Sequence, residues 1–145
     1  MKDQYILGIN AFHGDSSACI LKNGEVLAAS EEERFRRIKH WAGFPSEAIA
    51  FCLKEAGIDI TGVDHITISR DPSANLHKKI LHSAKNLVSL KALKDRLANT
   101  RKVVGVKAEL SKIFNVKEEE IKGKVHNVEH HRSHLASAFF ASPFE

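Results

Sequence analysis

Asn23-Gly24 lies between two β-type apolar runs. Both central positions of a tight type I′ turn need positive φ, which Asn and Gly reach at little cost, so this dipeptide ties its flanks into a hairpin. Around it the stretch GINAFHGDSSACILKNGEVLAASEEERFRRIKH, from Gly8 to His40, alternates short apolar runs with polar breaks. Strands are expected at about residues 5–11, 17–21 and 25–30. They form a β-meander whose first turn is a polar loop running from Asn10 to Ser16.

The rest of the chain alternates helix and strand signals. Ser46 and Glu47 favour a helix start, Ile49, Phe51, Cys52, Leu53 and Ala56 supply an apolar face, and Gly57 stops it. A fourth strand is expected at 65–69, and Asp71-Pro72-Ser73 marks a break. Residues 74–114 read as helical, with Leu76, Ile80, Ala84, Leu87, Leu90, Leu93 and Leu97 at helical spacing and a turn near 103–106. Residues 116–120 resemble a further helix start, 124–128 a fifth strand and 131–141 a last helix. The order βββαβ–helical insert–βα resembles the ribonuclease-H-like half of actin-like ATPases, an α/β fold. Such domains open on a meander and hold phosphate in its first loop. The helical block, about 74–122, lies where that fold takes insertions. Ser142-Pro143-Phe144-Glu145 follows the last helix directly. The expectation is therefore a truncated first half of the fold.

Composition narrows the class. At 145 residues there is enough chain for one domain with a core. No apolar run approaches the roughly 20 residues of a membrane helix. Met1-Lys2-Asp3-Gln4 leads into a strand without a signal-type apolar region, so a soluble, cytoplasmic protein is expected, with no membrane partner. Cys19 and Cys52 sit in apolar patterns far apart and read as buried free thiols. The net charge of +4 is uneven: from His77 to Lys107 nine Lys/Arg face a single acid, Asp95. No aromatic residues interleave to stack bases, so the run reads as a solvated helix face and nucleic acid is not expected as a partner.

Three segments carry candidate chemistry. In Val128-Glu129-His130-His131-Arg132-Ser133-His134, His130 and His134 at i and i+4 share a helix face and can bind one metal ion. The pair His131/His134 at i and i+3 is the alternative. Either needs a further ligand, and imidazole with carboxylate suits Fe, Mn or Zn. No Glu stands between the histidines, so the zinc-protease pattern is missing its base. In the first loop, His13 can act as a base near neutral pH and Asp15 can position a substrate hydroxyl. Gly14, Ser16 and Ser17 offer N–H groups and hydroxyls to phosphate. A polar β-turn with Asp15 bonded to its own backbone accounts for the same residues. Finally, Glu31-Glu32-Glu33-Arg34-Phe35-Arg36-Arg37-Ile38-Lys39-His40 sets cations beside the loop. It reads either as a solvated strand end or as a charge source for ATP or an acyl phosphate. Trp41 and Phe44 suit the core or the cover of an adenine.

Together, Leu7-Gly8-Ile9-Asn10, His13-Gly14-Asp15-Ser16-Ser17-Ala18, the Glu31–Phe35 run with Arg37 and Lys39-His40, and His130-His131 with His134, Ala136 and Ala138-Phe139 carry a resemblance. They resemble, over about residues 5–70 and 124–141, the N-terminal part of the carbamoyltransferase family, the NodU- and TobZ-like O-carbamoyltransferases. The resemblance implies the first portion of a domain shared with tRNA threonylcarbamoyl-transfer enzymes. It implies an ATP-dependent enzyme that makes carbamoyladenylate from carbamoyl phosphate in a second domain. The carbamoyl group then passes to an acceptor hydroxyl of a small, sugar- or antibiotic-like molecule. By the same resemblance His130 and His134 hold a divalent metal, completed by a carboxylate beyond Glu145, His13 is catalytic and Lys39 touches nucleotide. Arg37, Ser16 and Asn10 join Lys39 as candidate nucleotide- or substrate-binding residues. Gly14 departs from the family's usual His-Asp-Ser/Ala, so the base role falls to His13 or Asp15. The fragment alone is expected to be inactive. A tRNA threonylcarbamoyl-transfer enzyme and a non-catalytic nucleotide-binding regulatory module are the alternatives.

Overall fold

The computed structural model of the chain describes residues 2–71, 105–140 and 142. The elements are β1 (Tyr5–Asn10), β2 (Ser17–Lys22), β3 (Glu25–Glu31), α1 (Glu33–Arg36), α2 (Ser46–Ala56), β4 (His65–Ile68), α3 (Val106–Phe114), β5 (Lys124–Asn127) and α4 (His130–Phe140). Single 3₁₀ turns occupy Ile60–Gly62 and Glu118–Glu120.

The strands form one sheet in the order β3-β2-β1-β4-β5. The meander pairs antiparallel, and β4 and β5 both run parallel to β1. This is the strand order and direction expected of a ribonuclease-H-like sheet. The hairpin forms at Asn23-Gly24 with Lys22 opposite Glu25 and φ of 53° and 92° at the two turn residues. Asn23 also holds the chain start, its Oδ1 accepting from Gln4 N at 2.9 Å.

Strand alternation sorts the sheet into two faces. Leu7, Ile9, Ala18, Ile20, Ile66 and Ile68 point to one side and are buried there with Ala48, Ile49, Cys52 and Leu53 of α2 and Val106 and Leu110 of α3. The helix α3 falls within the span read as an insertion, yet both of those residues are wholly buried, so it belongs to the core. The opposite face carries small side chains, Gly8, Cys19, Ala29 and Thr67 among them, and lines an open groove of about 440 Å³. Gly8 is required there, because a Cβ would stand 2.7 Å from Cys19 Sγ.

Two local expectations change. Residues 33–36 form a helical turn, α1, where a solvated strand end was one reading, and the helix start read at 116–120 is only a 3₁₀ turn. The basic stretch of the helical block falls mostly in residues 72–104, outside the described residues. Among the described residues no helix is long and apolar enough to cross a membrane.

Candidate functional site

The parallel strands β1, β4 and β5 end along one edge of the sheet, where ligands of open α/β sheets gather. The first loop, residues 11–16, leaves β1 there, and α4 starts just past β5. The loop is clasped from outside by the segment Trp41–Gly43. Phe12 N donates to Gly43 O at 3.1 Å, Ser16 N to Trp41 O at 3.0 Å, and Glu32 N to Ser16 O at 2.9 Å. Ser16, predicted as a phosphate contact, is fully buried, and its hydroxyl donates to Gly43 O at 2.8 Å and His13 O at 3.1 Å. Asn10 likewise supports the loop: its Nδ2 donates to Asp15 O at 3.0 Å, while its Oδ1 accepts from Ser69 Oγ at 2.7 Å.

The clasp is anchored by Glu32. This carboxylate is wholly buried and accepts from Arg36 Nε at 2.6 Å and from the α2 backbone at Ala48 N, 2.8 Å, and Glu47 N, 3.3 Å. It therefore caps α2 from fourteen residues upstream, satisfying N–H groups that a helix start leaves open. Ser46, read as the cap, is the first helical residue, and its hydroxyl accepts from Arg36 at 2.8 Å. The Arg36 guanidinium lies over the Trp41 ring, 4.6 Å from its centre.

Inside this frame three imidazoles meet. His13 Nδ1 lies 3.0 Å from Gly14 O, which places the proton on Nδ1 and leaves Nε2 as a lone pair. That Nε2 is buried, and among the described residues it has no hydrogen-bond partner. The His13 ring stands edge-on to His130, with centres 5.4 Å apart. His130 and His134 approach through Nε2 and Nε2 at 3.1 Å. Two nitrogens each about 2.1 Å from one ion lie about 3 Å apart, so the pair has the spacing of metal ligands. Among the described residues no three His, Cys, Asp or Glu side chains could hold an ion together.

His131, the alternative partner, is turned elsewhere. Its Nδ1 lies 2.8 Å from Glu129 Oε1, and Glu129 Oε2 accepts from Arg132 N at 3.0 Å. The hydrogen bonds from His131 and from the helix backbone hold the Glu129 carboxyl down at about 2. Glu129 thus accepts from the first-turn backbone of α4 as its N-terminal cap.

Asp15 points away from the imidazoles. Its Oδ1 pairs with His40 Nδ1 at 2.7 Å, and both side chains are exposed. Arg37 ends α1 with φ of 59°, and Arg37 and Lys39 are exposed on the segment that leads into His40. The predicted site residues thus divide: His13, His130 and His134 converge, Asp15 with His40 forms a second pair, Asn10 and Ser16 brace the loop, and Arg37 and Lys39 stand exposed on that segment. Glu32, Gly43 and Glu129 were not singled out as site-forming from sequence.

Residues 5–145 match the family described as carbamoyltransferase N-terminus, and the chain belongs to that family. It is 38% identical over 148 residues to an uncharacterized protein of Synechocystis sp., covering 97% of this chain and 24% of that one. It is 32% identical over 142 residues to the nodulation protein NolNO of Sinorhizobium fredii, covering 94% of this chain and 19% of that one. The chain therefore spans about a quarter or less of the length of these relatives. Among solved structures, YeaZ from Pseudomonas aeruginosa is similar over 87% of this chain and 43% of that one, with a TM-score of 0.41 and 16% identity.

Proposed function

We propose that this chain is the acyl-transfer portion of an ATP-dependent O-carbamoyltransferase, which moves a carbamoyl group from carbamoyl phosphate, through carbamoyladenylate, to a hydroxyl of a small acceptor. One observation supports this reading beyond family membership: His13 Nε2 is buried, has no partner among the described residues and is set beside the His130/His134 pair. A lone pair held in that way suits a proton acceptor for a substrate hydroxyl.

Between the two candidate bases the geometry favours His13. Asp15 already shares its carboxylate with His40. His13 Nε2 takes the acceptor's hydroxyl proton as that oxygen attacks the carbamoyl carbon. The carbon–oxygen bond to the phosphate of AMP then breaks, and AMP leaves. His130 and His134 would hold a divalent Fe, Mn or Zn ion, which would supply Lewis-acid charge toward the phosphate. Arg37 and Lys39 offset the remaining phosphate charge. Asn10, Ser16 and the Trp41–Gly43 clasp keep the loop in register for this.

The test is mass-spectrometric detection of carbamoyladenylate from the full-length gene product, ATP, a divalent metal and carbamoyl phosphate. Its formation is the expected result, and it needs no acceptor. A folded, metal-loaded protein that makes none refutes the reading.

A further inference from the structure

His40 ends the charged run, and nothing in the transfer chemistry uses it. Its ring reaches back 25 residues in sequence to Asp15, with Nδ1 2.7 Å from Oδ1. Its backbone N–H donates to Glu33 Oε2 at 3.2 Å. Both ends of the pair have left-handed backbones, φ of 54° at His40 and 62° at Asp15. Residues other than glycine hold that conformation where their surroundings impose it. Asp15 is held from both sides, since its carbonyl accepts from Asn10 Nδ2 at 3.0 Å.

The side chains are 78% and 60% exposed, and a pair so open to water adds little to folding stability. Its effect falls instead on what it connects. Asp15 sits two residues after His13, and His40 directly follows Lys39. We propose that His40 is a positioning residue of the transfer reaction: by gripping Asp15, it fixes the loop bearing His13 to the segment bearing Arg37 and Lys39. Proton acceptor and phosphate anchors are then held in one geometry. The proposal rests on the carbamoyl-transfer reading.

The groups facing His40 are Asp15 from the first loop and Glu33 from α1, with Arg37 and Lys39 on its own segment. The Asp15 hydrogen bond and charge, followed by the charge of Glu33, hold His40 above the usual imidazole value. The grip by an imidazolium on the ionised carboxylate is therefore held at pH values below that raised value where Asp15 keeps its charge, and it weakens as pH rises through that value.

The experiment uses the full-length enzyme with hydroxylamine as surrogate acceptor. The carbamoyl carbon exchanges its bond to the phosphate oxygen for one to nitrogen, giving hydroxyurea and AMP. Rates are taken above the His13→Ala background. His40→Ala and Asp15→Asn each lower kcat by about tenfold to a hundredfold, the cost of misplacing a reacting group, with KM for ATP unchanged. The double variant is no slower than the slower single one. His40→Gln, which can still bond Asp15 but does not titrate, regains rate and loses the alkaline fall seen in wild type. Full activity of His40→Ala, multiplying losses in the double variant, or an unchanged pH profile in His40→Gln overturns the proposal. A wild-type enzyme that makes no carbamoyladenylate overturns the carbamoyl-transfer reading itself, and this proposal with it.

Discussion

Replacing Glu32 by Ala removes a buried carboxylate on which a helix start, an arginine and the loop clasp all depend. The side chain is 0% exposed and accepts from Ala48 N at 2.8 Å, Glu47 N at 3.3 Å and Arg36 Nε at 2.6 Å. Losing the cap of α2 costs about 1 kcal/mol. Breaking a fully buried ion pair would cost about 3–5 kcal/mol. Arg36 is 34% exposed, however, and regains water when its partner goes. Its share is therefore nearer about 1 kcal/mol, and the cavity left by the missing carbons adds about 1 more. The sum, about 3 kcal/mol, lowers Tm by about 9 °C in a chain of this size. It also moves the urea midpoint down by about 1.5 M at a slope of about 2 kcal/mol/M. Glu32→Gln keeps the volume and one acceptor oxygen among partners that are all donors, so it loses about half as much. Equilibrium urea unfolding of the purified protein, followed by the Trp41 emission, measures both. A Glu32→Ala protein within about 0.5 kcal/mol of wild type, the range of ordinary surface changes, refutes the assignment.

Three further outcomes are expected. His130→Ala or His134→Ala lowers the divalent metal bound per full-length chain, whereas His131→Ala leaves it unchanged because Glu129 holds that ring; equal loss in all three, by elemental analysis, contradicts the pairing. In Gly43→Ala the new Cβ would meet the Trp41 ring at 2.6–2.9 Å, so the ring must leave Arg36. Emission from this single tryptophan then moves to the red, and an unmoved spectrum refutes the contact. The Cys52 thiol is buried, and desolvation pushes it up to about 11, so a thiol reagent at pH 8 modifies it only as fast as the protein opens; labelling within seconds of mixing would show otherwise.

Much of the fold was legible because it follows from local periods. The meander, the hairpin at Asn23-Gly24 and α2 from Ser46 to Ala56 lie within a residue or so of the expected spans. Each is set by alternation, by turn chemistry or by a glycine stop at positive φ. The parts that were not legible depend on contacts distant in sequence. No local pattern says that Glu32 caps a helix starting at Ser46, because the cap arrives from a different strand end. Nor does spacing choose between His131 and His130 as the partner of His134. That choice is made by Glu129, which takes His131 for its own cap.

The charged run shows why a sequence of alternating signs resists a single reading. Were residues 31–36 a continuing strand, Glu32, Arg34 and Arg36 would share one face, with Glu32 and Arg36 about 13 Å apart along the chain. The helical turn α1 shortens that separation, so that Arg36 Nε reaches the buried Glu32 carboxylate at 2.6 Å while part of its guanidinium stays in water. Glu33 is left outward to take the His40 backbone, and Arg37 and Lys39 stay exposed. One half of the run therefore stabilises α2 and the clasp, and the other supplies charge beside the first loop. The same geometry separates the two residues that the sequence left as equals. Phe12 and Asp15, on either side of His13-Gly14, hold left-handed backbones with φ of 64° and 62°. His13 is sent inward to His130, and Asp15 outward to His40. Within the charged run, substitutions at Glu32 and Arg36 should thus be read in unfolding curves and those at Arg37, Lys39 and His40 in turnover, a division that composition alone could not have drawn.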